Sequence, residues 1–115
     1  MRFCPWYALD EAPAQTPAAP NLLQVRVARG LVAYPRGQSA MIHYEHAADA
    51  RARAIELGRR WPERELWCRH LIEIDDAEPA HLAELYAKLS SEFVRRFGCL
   101  PAAPELRSPS TPSSS

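Results

Sequence analysis

The sequence predicts a two-layer α+β domain, with helices packed on a small sheet of about three strands. Residues 21–45 contain two segments that alternate apolar and polar side chains, as half-buried strands do, with a turn signal between them. Residues 47–98 contain two segments in which apolar residues recur every three or four positions, as on one helix face. A third strand between these helices completes the predicted order β-hairpin, helix, strand, helix.

The β-hairpin is predicted from NLLQVRVARG (21–30) and AMIHYE (40–45). Both segments are rich in residues that favour strands. Gly30, directly after Arg29 in the strand segment 21–34, indicates a bulge that resets the register. YPRG (34–37) has proline at the second and glycine at the fourth position of a turn, and it is expected to reverse the chain.

The first helix is predicted from residue 47, where the apolar period changes. Its apolar face comprises Ala47, Ala50, Ala54, Leu57 and Trp61. Asp49 and Arg53, like Glu56 and Arg60, are spaced as i, i+4 ion pairs in the favourable order. The helix is expected to end near Pro62.

Residues 65–75 fit a strand by their alternation and a helix by the spacing of Trp67, Leu71 and Ile74. The strand is favoured. The last helix is predicted over 75–98, with Gly98 as its end. Its apolar face comprises Leu82, Tyr86, Leu89, Phe93 and Phe97.

The chain of 115 residues is expected to form a single α+β domain over 21–98. Residues 1–20 are predicted to be a flexible arm and a Pro/Ala-rich linker, and residues 99–115 a disordered Pro/Ser-rich tail. A domain of this size is modestly stable, so a homodimer would add stability. No targeting signal or apolar run of membrane-spanning length is evident, and a cytoplasmic protein is therefore expected, with no membrane partner.

The segment MIHYEH (41–46) carries the densest group of chemically active side chains. In a strand, His43 and Glu45 share one face, and His46 is expected beyond the strand end. These three groups cannot converge on one metal without a further ligand such as Cys68, His70 or His81, so a solvated or dimer-facing strand edge is favoured over a metal site. His70 is expected to be a hydrogen-bonded core histidine. The widely spaced cysteines are expected to be free thiols, and no cofactor or metal is predicted.

Arginines without a local partner are the main candidates for binding. Net charge is zero overall, but residues 21–60 contain seven arginines and three acids. The predicted basic surface comprises Arg26, Arg29, Arg36, Arg51 and Arg59. Such a surface suits an acidic protein or a phosphate backbone. Trp6 and Tyr7 are expected either to pack on the domain as an extra strand or to contact a partner.

Two nucleic-acid hypotheses stay open. AIELG (54–58) has the spacing of a sharp turn between helices, so residues 48–72 could form a helix-turn-helix with its recognition helix at 63–72. GLVAY followed by HYEHAADARARA resembles the paired strands and first helix of GIY-YIG endonucleases. The resemblance implies a metal-dependent nuclease, although Glu45 occupies a position where the second motif has glycine. Its implied functional residues are Tyr34, Tyr44, Arg51 or Arg53, and Glu92.

The function favoured by the sequence is non-catalytic binding, in a regulatory or accessory protein. The strongest patterns in the sequence are explained by secondary structure and burial. The residues that these patterns leave without a structural role are arginines and aromatics. The expected partner is another protein, with nucleic acid as the alternative. A nuclease would instead require Tyr44, an arginine and Glu92 in one cleft.

Overall fold

The computed structural model describes residues 2–61, 65–73 and 79–102. The described strands are β1 (Arg2–Phe3), β2 (Tyr7–Ala8), β3 (Asn21–Val27), β4 (Val32–Tyr34), β5 (Gly37–Ser39), β6 (Met41–Ala47) and β7 (Leu66–Glu73). The described helices are α1 (Ala12–Gln15), α2 (Ala50–Arg60) and α3 (Pro79–Phe97), with a 3-10 turn at Leu9–Glu11. The predicted α+β class is confirmed.

The main sheet is antiparallel and has five strands in the described part of the chain. Its order is β1-β7-β3-β6, and β2 also pairs with β7. At the centre, Val25 lies between His43 and Cys68. The three long strands are the three predicted from sequence, and two short N-terminal strands extend the sheet. Because β7 is a strand, the recognition helix of the helix-turn-helix hypothesis does not form.

Helices cover both faces of the sheet. Adjacent residues on β6 point to opposite faces, and Glu45 binds Arg53 of α2 whereas Tyr44 packs on Phe93 of α3. Residues 21–25 of β3 are all buried, which requires cover on both sides. The predicted two-layer arrangement is therefore wrong, because the central strand is buried toward both faces.

Helix α2 buries Ala50, Ala54 and Leu57 of its predicted apolar face. Ala47 and Trp61 are also buried, but Ala47 ends β6 and Trp61 follows the helix, so α2 begins at Ala50 and not at Ala47 as predicted. Its charged residues differ from the prediction. The Asp49 carboxylate caps the helix by accepting a backbone N–H of the first turn at 3.1 Å. Arg53 instead binds Glu45 on β6 and Glu56 on its own helix. Asp49 is thus a capping residue, and Arg53 ties the helix to the sheet.

The connection between β3 and β6 is longer than a simple hairpin. β4 and β5 form a separate two-stranded hairpin within it, and the predicted turn at 34–37 connects these two short strands. The irregularity in the pairing of β3 with β6 lies between Val25 and Arg26, not at Gly30. Gly30 follows the strand and has a φ of 78°, which favours glycine.

Residues 2–20 contact the sheet along much of their length. β1 and β2 pair with β7, and Leu9, Ala12 and Thr16 are buried. Of the two arrangements expected for Trp6 and Tyr7, the structure shows packing on the domain. The predicted domain boundary at residue 21 therefore lies between two segments that pack in the same core. Most of the predicted tail, from residue 103 onward, lies outside the described residues.

Candidate functional site

The His43–Glu45 pair belongs to a contact between β6 and α2. Glu45 Oε1 lies 2.8 Å from His43 Nε2 and accepts a 3.0 Å hydrogen bond from Arg53 Nη2. Burial raises the pKa of Glu45, but hydrogen bonds from Arg53 and His43 outweigh it and hold this pKa below its ordinary value. His46 lies within β6, paired with Leu22, and not beyond the strand end as predicted. The pair joins a strand to a helix.

His70 belongs to a closed network on the same side of the sheet. Its Nδ1 lies 3.0 Å from the Tyr7 hydroxyl, which lies 2.6 Å from Thr16 Oγ1. Cys4 Sγ is 3.6 Å from the same nitrogen. Burial lowers the pKa of His70, and burial raises the pKa of the neighbouring Cys68 thiol to about 12. The prediction of a hydrogen-bonded core histidine is confirmed, and the network anchors the N-terminal segment to β7.

The five arginines of the predicted basic surface do not share one surface. Arg26 lies on the face of the sheet that packs on α3, as its pairing with Trp67 shows, whereas Arg51 and Arg59 belong to α2 on the other face. Arg51 Nε donates to the Thr16 carbonyl at 2.7 Å, so it has a structural role.

The other two, Arg29 and Arg36, lie in the connection between β3 and β6. Arg36 Nη1 donates to the Arg95 carbonyl at 3.1 Å near the end of α3. Arg29 faces Glu65 at 3.7 Å in an exposed pair, which contributes little stability. The positive charge of residues 21–60 is therefore dispersed over the molecule.

Of the residues implied by the nuclease resemblance, Tyr34, Tyr44 and Glu92 lie together on the α3 side of the sheet, and the arginines are separated from them. Tyr44 packs on Phe93 on the α3 side of the sheet, and Tyr34 donates its hydroxyl to the Met41 carbonyl. Arg51 lies on the α2 side. Tyr44 and Arg51 thus have the sheet between them, and they do not meet in one cleft.

A group that the sequence analysis did not assemble lies on the α3 face of β3 and β7. Arg69 projects from β7, and its Nε donates to Gln24 Oε1 at 2.7 Å. Its guanidinium carbon lies 4.4 Å from the Trp6 ring centroid and 4.5 Å from that of Phe3. The Arg26 guanidinium is 5.5 Å from the same Trp6 ring. These are cation–π distances.

Strand register brings these residues together. Alternation along β7 places Trp67 and Arg69 on the face opposite Cys68 and His70, and Arg26 of β3 is the direct partner of Trp67. Helix α3 covers another part of this face, where Leu22, Leu71 and Leu82 pack. Trp67 is left 42% exposed. We call the four residues Trp6, Arg26, Trp67 and Arg69 the arginine–tryptophan patch.

The arginine–tryptophan patch carries positive charge that the described residues do not neutralise. Neither Arg26 nor Arg69 forms an ion pair with a described carboxylate. Burial lowers the pKa of Arg69, and the nearby Arg26 charge acts in the same direction. The guanidinium groups are held over a ring and can donate hydrogen bonds to an anion. The patch can therefore bind an anionic group beside an apolar one.

Sequence reasoning selected Arg26 and Trp6 separately and missed Trp67 and Arg69. The signal was an aromatic and a cationic residue two positions apart, WCR (67–69), on the face of β7 opposite Cys68 and His70. This signal indicates a shared surface with Arg26 only when β3 is known to pair with β7.

Comparison with known proteins gives no assignment: no protein-family model, curated protein or solved structure matches this chain. Among the described residues, no group of three or more histidine, cysteine, aspartate or glutamate side chains could hold a metal ion. In the same part of the chain, no helix has the length and apolar character required to span a membrane.

Proposed function

We propose that this protein is a non-catalytic binding protein, regulatory or accessory in role, that docks a macromolecular partner on the arginine–tryptophan patch. One observation carries the proposal: the exposed Trp67 is the strand partner of Arg26 and lies two residues from Arg69 on the same face, and neither guanidinium has a carboxylate partner in the described residues.

The composition and order of the patch support binding. Tryptophan and arginine are the residues most enriched where interfaces gain their energy. Arg69 is already held by Phe3, Trp6 and Gln24, so little side-chain entropy remains to be lost when a partner binds. A site built in this way is ordered before the partner arrives.

The groups suited to acid–base chemistry are engaged elsewhere. Glu45 is bound by His43 and Arg53, and His70 by the buried Tyr7 hydroxyl. Both sets join segments of the fold, which favours binding over catalysis as the role of this chain.

The proposal is tested by affinity capture from the native host with the full chain as bait. Trp67→Ala and Arg69→Gln change the patch, and Arg59→Gln, an exposed arginine on α2, is the matched control. Circular dichroism verifies that each bait is folded. We expect the same captured partner with the parent and the control, and its loss with both patch variants. Retention of that partner by the patch variants would refute the proposal.

A further inference from the structure

The arginine–tryptophan patch also indicates the chemistry of its partner, and this inference rests on the proposed function. We infer that the patch binds an extended acidic protein segment with two carboxylates two residues apart and an apolar residue beside them. The inference follows from the spacing of the two arginines, from the donors they leave unused, and from the charge of the whole chain.

The spacing of the arginines follows from strand register. Gln24 is paired with Arg69, and Arg26 with Trp67, so the two arginines are diagonal neighbours across β3 and β7. Diagonal neighbours on one sheet face are about 7–8 Å apart. In an extended segment, side chains two residues apart lie on the same side at about 6.6 Å. Two carboxylates separated by one residue therefore match the spacing of the two strand positions from which Arg26 and Arg69 project.

The donors that remain on both arginines suit carboxylates. Arg69 uses its Nε for Gln24, and Arg26 uses its Nε for the Val27 carbonyl at 3.2 Å. The terminal Nη groups of both arginines make no hydrogen bond to a described residue. A planar guanidinium with two free Nη groups can bind a carboxylate through two parallel hydrogen bonds. The bound anions would also reduce the repulsion between the two cations.

The surroundings favour a protein segment over nucleic acid. A nucleic-acid interface neutralises several phosphates, and its domain is usually strongly basic. This chain has 14 basic and 14 acidic residues. The exposed Trp67 supplies apolar contact area for a side chain next to the carboxylates.

The test measures the fluorescence anisotropy of labelled peptides with the full chain. One peptide has the core Glu-Ala-Glu-Leu, a second has Gln-Ala-Gln-Leu, and a third probe is single-stranded oligothymidylate. Arg26→Gln, Arg69→Gln and Trp67→Ala alter the patch, and Arg59→Gln is the control. We expect the acidic peptide to bind the parent and Arg59→Gln equally, and each arginine variant to bind it about tenfold more weakly. The glutamine peptide should bind more weakly than the acidic one.

The contrary outcomes separate this inference from the proposed function. Equal binding of the acidic and glutamine peptides, or no binding of the acidic peptide, would overturn the inference while patch-dependent capture from the host still supports the proposed function. Tighter, patch-dependent binding of the oligothymidylate would show that the partner class is nucleic acid. If neither the probes nor the captured partner depend on the patch, both proposals fail.

Discussion

Phe93 provides the strongest test of how the α3 side of the core is packed. Its side chain is 5% exposed, and its ring centroid lies 5.1 Å from Tyr34, 5.6 Å from Tyr44 and 4.5 Å from Phe97. It therefore joins α3 to the sheet and to the small hairpin. Phe93→Ala removes a buried ring and leaves a cavity, which costs about 3–5 kcal/mol. The three ring contacts favour the upper part of that range.

The assay is urea unfolding followed by circular dichroism and tryptophan fluorescence. A small domain has a total stability of about 5–10 kcal/mol, so the variant should unfold at much lower urea or be partly unfolded in buffer. Val94→Ala, at the exposed next position, is the control and should change stability by about 0.5 kcal/mol or less. Light scattering gives the mass of each variant.

Two results would refute this reasoning. A folded Phe93→Ala variant with half the mass of the parent would place the apolar face of α3 at a dimer interface. A variant of unchanged mass and unchanged stability would show that the ring is not packed as described.

Three further predictions concern other parts of the chain. Tyr7→Phe leaves the buried Thr16 hydroxyl without its 2.6 Å partner and should lower the unfolding free energy by about 1–3 kcal/mol, measured by urea unfolding. The pKa of Glu45 is lowered in the folded protein, because hydrogen bonds, chiefly from Arg53, outweigh the effect of burial. The contribution of Glu45 to stability should therefore be complete above the ordinary glutamate pKa, and it should be lost as pH falls through the lowered pKa. Glu45→Gln should lower stability at neutral pH and reduce the loss on acidification, as unfolding midpoints from pH 7 to acid would show. Deletion of 105–115 should leave stability within about 0.5 kcal/mol, because a Pro/Ser segment has little to bury, and a larger loss in a thermal melt would show that it docks.

Most of the regular structure could be predicted because local periodicity reflects burial. The buried face of α2, Ala50, Ala54 and Leu57, was identified from spacing alone, although Ala47, assigned to the same face, lies in β6. The strand at 65–75 was favoured over a helix for the same kind of reason, and β7 confirms it. Such a helix or strand buries one of its faces, and the spacing of apolar residues in the sequence shows which face it is.

The N-terminal segment shows where such reasoning fails. Its strands contain only two residues each, too few to produce a period, and its proline-rich composition resembles a linker. Its place in the fold depends on backbone pairing with β7 and on the Tyr7 bonds to Thr16 and His70. These are contacts between residues distant in sequence, and neither partner carries a local sign of the other.

The sequence by itself determined the order of the main strands and helices, the buried face of α2, and the apolar face of α3, because each depends on neighbours within a few residues. Only the tertiary structure decided that the helices lie on opposite faces of the sheet and that β3 lies between β6 and β7. That order places Arg26 beside Trp67 and diagonal to Arg69, and it separates Tyr44 from Arg51. Strand register sets these distances, and register is a property of paired strands that no single segment contains.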